Sequence, residues 1–537
     1  MDGNREISPL ACRRRQVRIG KVGGPKPVMH GGEKSDPAIV AGKSANKGER
    51  GPAEPMERRA GTEGKAVERG TRRTPGRGSV SSGLGRVRQA ARERKQEKLT
   101  ALLHHVDEAL LRSAYGWLSK DAAAGVDGVS WRDYGDDLEG RLAALKDRIH
   151  RGAYRALPSR RVYIPKPDGR QRPLGIAALE DKIVQRAVVE VLNAIWEEDF
   201  LGFSYGFRPG RGQHDALDAL AVGIGRRKVR FVLDADIAGF FDTVDHERLI
   251  EFVERRVGDR RIVRLIGKWL KAGVMEDGEV RPGAVGTPQG AVISPLLANI
   301  YLHYVFDLWA HEWRQRHARG DVILVRYADD IVAGFEHQAE AEQFMAAMRD
   351  RMAEFGLTLH PEKTRLIEFG RFAAVNRRRR GLGKPETFDF LGFTHICGTS
   401  RRGSFQLKRK TRRDRMRARL RAVKEELRRR RHRPTDEQGA WLAQVVRGFF
   451  AYHAVPTNYR ALAAFREHVM DLWWRTLRGR SQKDGTQRQR ALALADRWLP
   501  KPSITHPWPS QRFAVKHPRW EPGAGIPHAG ICAGGAQ

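Results

Sequence analysis

The sequence predicts a mixed α+β protein, with a helical C-terminal region and a basic, disordered N-terminal arm. Three observations predict it. Between Arg160 and Phe393, short apolar runs alternate with Gly/Pro turns and longer helical stretches, which suits a sheet with helices between non-adjacent strands. Two apolar runs, Val322-Ile-Leu-Val325 and Ile331-Val-Ala333, flank an acidic turn in the manner of a hairpin. After Lys408 a very basic helical pattern gives way to an aromatic-rich one.

Composition limits the functions available. The 537 residues include 99 Lys plus Arg against 64 Asp plus Glu, a formal charge of +35 that attracts polyanions and excludes an ordinary neutral metabolic enzyme as the default. With 40% hydrophobic residues the chain can still bury real cores. No apolar run approaches the roughly 20 residues of a membrane helix, and none has the form of a signal peptide. Cys12, Cys397 and Cys532 are too scattered for a disulfide framework or a zinc cluster. These features predict a cytoplasmic protein associated with nucleic acid and not with membrane.

In chain order, residues 1–95 are rich in Gly, Pro, Ser, Lys and Arg without apolar periodicity, and read as the disordered arm. Leu102, Leu103, Val106, Leu110 and Leu111 recur at helical spacing, as do Leu138, Leu142, Leu145 and Ile149, which makes 96–155 a helical extension. Residues 156–398 form the α+β unit. In it Val162-Tyr-Ile164 is a strand, Lys166-Pro-Asp-Gly169 a turn, Ile183–Trp196 a buried helix, Phe231–Ile237 a strand and Leu249–Leu270 helical. Residues 399–500 read as a second, helical unit, with Lys408–Arg433 as one basic helix carrying a thin stripe of Leu407, Met416, Leu420, Val423 and Leu427. Charges this dense repel at i,i+4 spacing, so a polyanion partner makes such a helix favourable. Trp441, Phe449, Phe450, Trp473 and Trp474 read as its core rather than as base-stacking platforms. Residues 501–537 read as an irregular tail.

The sharpest chemical feature is Tyr327-Ala328-Asp329-Asp330. Adjacent carboxylates in a sheet raise one another's pKa through burial and repulsion, and a divalent cation removes that cost. Alone, the pair reads equally well as a solvated turn. A second acidic element, Asp234 and Asp236 on one face of a strand, offers a carboxylate that completes a two-metal site. Asp242 and Asp245 fall where helix capping is expected.

Asp236, then Phe241, then Thr287-Pro-Gln-Gly290, then Tyr327-Ala-Asp-Asp330 follow the motif order of reverse transcriptases. The fuller string resembles the group II intron reverse transcriptase/maturase family. It comprises Arg161–Ile176, Ser204-Tyr-Gly-Phe-Arg-Pro-Gly210, Gly286–Asn299, Leu359-His-Pro-Glu-Lys-Thr364 and Phe388-Asp-Phe-Leu-Gly-Phe393, and the resemblance covers roughly residues 100–500. It implies a right-hand polymerase of fingers, a palm with an antiparallel sheet, and an α-helical thumb or maturase domain. It implies that Asp236 and Asp329 bridge two Mg²⁺ ions, that Asp330 supports the site, that the Ile237 carbonyl is a further ligand and that Asp234 is a bystander. Phe241 becomes the gate against a ribose 2′-hydroxyl. Pro288, Gln289 and Gly290 form the loop over the incoming nucleotide, where Gly permits close approach and Gln both donates and accepts. Lys166 and Arg172 match the pair that clamps the triphosphate, although single basic residues in so basic a chain also read as surface charge. Lys363 reads equally as a residue that approaches the polymerisation site as a proton donor to pyrophosphate and as one without a role there.

The implied partners are dNTPs, an RNA template/DNA primer duplex and intron RNA. Lys408, Arg409, Lys410, Arg412, Arg413 and Arg417 are the candidate nucleic-acid contacts, and a homodimer is left open. Many relatives continue into a cysteine-paired His-Asn-His nuclease. Beyond His506-Pro-Trp-Pro509 this sequence has no such pattern, so no target-DNA cleavage is expected. Two rival functions stay open at this level: a splicing cofactor with idle polymerase, and a domesticated reverse transcriptase of a defence or retron system.

Overall fold

A computed structural model describes residues 77–165, 171–276, 279–281, 286, 290–480, 488–516 and 531–532. Lys166, Pro288 and Gln289 lie outside the described residues, as does most of the basic arm. The architecture is mixed α and β, with three sheets followed by a helical region.

The central sheet places Val322–Tyr327, Asp330–Phe335, Phe231–Asp236 and Arg365–Glu368 side by side in that order, each antiparallel to its neighbour. Both faces are covered, and strand alternation divides the side chains between two cores. Leu233, Ala235, Leu324, Ile331, Ala333 and Phe335 enter one core. Val232, Ile323, Val325 and Val332 enter the other. The first core is built on Leu179–Asp199, a helix buried almost all round whose Glu180 and Asp181 sit in the first turn, favourably placed toward the helix dipole. The region read as continuous helix over Leu249–Leu270 is two helices, His246–Glu254 and Arg260–Lys271. Asp259 separates them and caps the second by accepting from the Arg261 amide. Asp245 caps the first, as expected.

A second sheet orders Gln171–Ile176, Ser159–Pro165, Val274–Glu276 and Glu279–Arg281. A third, Phe388–Phe390, Phe393–Thr399 and Phe405–Thr411, is an antiparallel meander. It crosses the expected boundary between residues 398 and 399, so the break between the α+β and helical regions falls after Thr411. Helices Arg413–Arg429, Thr435–His453, Tyr459–Arg478 and Arg488–Trp498 then share a third core, in which Phe449, Phe450 and Trp473 are buried while Trp441 lies at its margin.

Three further expectations are corrected. Lys408–Arg433 is not one helix: Lys408, Arg409 and Lys410 belong to a strand, and the helix runs Arg413–Arg429. The basic arm is helical over Arg77–Glu93, which packs on Leu179–Asp199 and buries Val87 and Ala91. The tail is not irregular throughout. Pro509–Lys516 is helical, packs on the helix Gln213–Arg226 and buries Phe513. In both terminal segments a few apolar side chains anchor a helix that overall polarity concealed. No helix among the described residues is long and apolar enough to cross a membrane.

Candidate active site

The acidic site is built by one register. Asp236 ends its strand directly opposite Asp330, the first residue of the next, so their side chains lie on the same face at a Cβ separation of about 5 Å. Tyr327 pairs with Asp330, which leaves Ala328 and Asp329 as the two-residue hairpin turn. Ala328 takes a left-handed conformation, φ +56°, and Asp329 rides at the tip. Such a backbone is strained for a residue with a Cβ and persists where its surroundings over-determine it. Here the surroundings are visible. The Ala328 amide donates to the Tyr205 carbonyl at 3.1 Å, and its carbonyl accepts from Arg326 at 3.0 Å.

Electrostatically the face is crowded. Burial first, then the charges of Asp329, Asp236 and Asp234, push the Asp330 carboxyl up to about 7, while Lys363 pulls it down. Burial also raises Asp329, and it raises Asp234 to about 6. Asp234 leans toward Arg365 at 3.7 Å, off the tip of the sheet. Lys363 Nζ lies 2.6 Å from Asp236 Oδ2. The loop that delivers it is pinned along the sheet end: the His360 amide donates to the Asp236 carbonyl and the Ala238 amide to the Thr358 carbonyl, both at 2.8 Å. Neither bond uses the buried Ile237's carbonyl.

These donors suit a hard divalent cation. They are carboxylate oxygens, they stand on facing strand ends, and their mutual repulsion is the cost that such a cation removes. Among the described residues no three such side chains already close into a metal cage, and Asp236 is turned instead onto Lys363.

The neighbouring loop is seated against the same region. Phe241 lies in the short helix Phe240–Thr243, half-buried, with its ring 5.5 Å from that of Phe240. Behind it the Gly286 amide donates to the Val244 carbonyl at 2.9 Å. Gly290, at φ +111°, lies so close to the strand Gln171–Ile176 that an added Cβ would stand 2.7 Å from the Gly175 carbonyl oxygen. This brings the Pro-Gln-Gly segment's end and the strand carrying Arg172 together, with Arg172 exposed.

The basic candidates separate into two groups. Lys410, Arg413 and Arg417 are exposed, and Lys408 is half-buried over Gly398. Arg412 pairs with Asp414 and Asp389. Arg409 is removed from the candidate nucleic-acid contacts: it is 2% exposed and paired at 2.9 Å with Asp218, which also meets Arg512 at 3.2 Å.

Sequence reasoning missed the polar group beneath the hairpin. Arg326 and Asp307 have fully buried side chains and form an ion pair, and Arg326 also donates to Asn299 Oδ1 at 3.0 Å and Ser204 Oγ at 2.6 Å. The signal was present: Arg326 is a charge inside the otherwise apolar run Val322–Tyr327.

Residues 164–395 match the family described as reverse transcriptase (RNA-dependent DNA polymerase). The chain is 41% identical over 249 residues to protein YkfC of Escherichia coli, covering 40% of this chain and 65% of that one. It is 35% identical over 226 residues to the group II intron-encoded protein LtrA of Lactococcus lactis, covering 41% and 37%. It is 32% identical over 134 residues to nuclear intron maturase 4, mitochondrial, of Arabidopsis thaliana, covering 25% and 16%. The matched region thus spans less than two thirds of each of these relatives.

Proposed function

We propose that the chain is a group II intron-type RNA-directed DNA polymerase that also binds intron RNA to assist splicing and mobility, a reading supported by its similarity to the reverse transcriptase family and to intron-encoded proteins. The observation that carries this reading is the placement of Asp236 opposite Asp330, with Asp329 at the intervening turn. In right-hand terms, the second sheet belongs to the fingers, the central sheet to the palm, and the helices after Thr411 to the thumb.

Asp236 and Asp329, with the Ile237 carbonyl, would hold two Mg²⁺ ions, and Asp330 would support them. When bound, the ions supply activation of the primer 3′-hydroxyl and stabilisation of the departing pyrophosphate. Lys363, whose Nζ lies 2.6 Å from Asp236 Oδ2, would donate its proton to the departing pyrophosphate. Lys166 and Arg172 grip the triphosphate, and Pro288, Gln289 and Gly290 cover the nucleotide. Lys408, Lys410, Arg413 and Arg417 meet the template-primer duplex and intron RNA. The purified chain is expected to extend a DNA primer on an RNA template with dNTPs and Mg²⁺. Absence of extension under varied template and salt would overturn the reading.

Two substitutions probe the nucleotide site. Phe241→Val opens the space a ribose 2′-hydroxyl needs, and incorporation of rNTPs relative to dNTPs should rise about 10- to 200-fold, the range a single steric contact commands. Gly290→Ala forces a Cβ onto the Gly175 carbonyl at a left-handed φ. Strain of about 1–3 kcal/mol should displace the loop and raise KM for dNTP, with duplex affinity unchanged in a filter-binding assay.

A further inference from the structure

The group beneath the hairpin has a task beyond stability. Resting on the reading above, we infer that Arg326 is a positioning residue for the two-metal site: it fixes the turn Ala328–Asp329, and through it the direction in which the Asp329 carboxylate is presented. Burial and connectivity carry the inference. The Arg326 side chain is fully buried, one residue pair short of the end of the hairpin, and its five hydrogen bonds reach four residues. Its Nε and Nη2 both engage Asp307, whose side chain is also fully buried. Nη2 reaches Ser204 Oγ at 2.6 Å, and Nη1 reaches Asn299 Oδ1 and the Ala328 carbonyl, each at 3.0 Å.

That last bond is the informative one. It ends on the single left-handed residue of the turn, one peptide before Asp329. Asn299 closes the circuit by donating its Nδ2 to the Gly206 carbonyl at 2.9 Å. Gly206 itself, at φ +81°, lies where an added Cβ would stand 2.9 Å from the Ala328 amide nitrogen. The turn is thus held from its amide, its carbonyl and its underside. Asp307 is delivered by a wide, π-helical turn, His303–Asp307, inserted between the helices Ser294–Leu302 and Leu308–His317. Such turns re-aim a side chain at the cost of regular hydrogen bonding. A buried ion pair is poor evidence for stability as such, because desolvation offsets its attraction. A rigid geometry of five hydrogen bonds to four residues, one of them on a strained carbonyl, is better explained by orientation, since outer partners of metal ligands tune affinity and rate by about 10- to 100-fold.

Arg326→Lys is the decisive variant. It keeps the charge opposite Asp307 but loses the planar fork that spans Asp307, Asn299, Ser204 and Ala328 together. In the full-length protein, kcat for primer extension should fall about 100-fold, as for an ångström-scale misplacement of a reacting group. The melting temperature and the Kd for the RNA–DNA duplex should stay close to wild type. Independently of turnover, Mn²⁺ affinity measured by electron paramagnetic resonance without nucleotide should weaken about tenfold or more. Should the lysine variant not fold, Asn299→Ala, which removes one link of the circuit, should show the same Mn²⁺ weakening in smaller measure. Wild-type kcat and Mn²⁺ affinity in whichever of the two variants folds overturn the inference, as does a loss of kcat accompanied by a lower melting temperature with Mn²⁺ binding intact. A wild-type chain that fails to extend any primer overturns the polymerase reading itself, a result distinguishable from the others because it precedes any substitution.

Discussion

Asp329→Ala is expected to reduce primer extension about a thousandfold or more while leaving the protein folded and able to bind RNA. The carboxylate rides at the tip of a two-residue turn, beyond the last hydrogen-bonded pair of the hairpin, so its removal takes no side chain from either core. It even relieves repulsion, because Asp329 is the first charge, after burial, that raises Asp330. Stability should therefore be unchanged or slightly increased. The rate should collapse, because a catalytic metal contributes several kcal/mol to the transition state and each 1.4 kcal/mol is about tenfold. Steady-state extension on an RNA template, read beside thermal unfolding and RNA binding, separates these terms. Extension at the wild-type rate would remove Asp329 from the chemistry. A splicing assay on the same variant tests whether the RNA-binding role survives alone.

The largest stability loss is expected from Asp218→Ala. This buried carboxylate, on the helix Gln213–Arg226, joins Arg409 from the third sheet to Arg512 from the last described helix. Truncation leaves the 2%-exposed Arg409 guanidinium without its counterion in an apolar setting. Breaking a buried pair in this way costs about 3–5 kcal/mol, whereas an exposed pair costs less than about 1. Denaturant unfolding followed by circular dichroism reads the difference, and a loss below about 1 kcal/mol would show that water reaches the pair.

The contrast between the two sites shows what the sequence reveals. Asp329 and Asp330 are neighbours in the chain, Asp236 stands at the end of an apolar strand, and a hairpin between two apolar runs has little alternative but to bring them together. Lys363 was legible for the same reason, through a compact motif. Arg409 was not. In Phe405-Gln-Leu-Lys-Arg-Lys-Thr411 the inward positions alternate through Phe405, Leu407, Arg409 and Thr411, but an arginine in an inward position reads as a break in the pattern, and the run of cations then mimics the helix that follows. The partner that makes its burial tolerable, Asp218, is 191 residues away. The partners of Arg326 were hidden likewise, since Asp307 and Asn299 come from one other segment and Ser204 from another. Local chemistry writes itself into adjacent residues; buried charge is satisfied by distant ones, and periodicity carries no record of distance.

The place of Phe513 and Arg512 has a consequence for how the protein is made. The strands of the central sheet that bear the carboxylates are all synthesised by Glu368, yet the helix that covers Gln213–Arg226 comes only with Pro509–Lys516. Ribosomes add about 5–20 residues per second, so the emerging chain carries an uncovered apolar surface behind its acidic hairpin for on the order of ten seconds or more. A message cut short after the helical core would yield a protein with its acidic hairpin assembled and that surface permanently bare, a target for chaperones and for self-association.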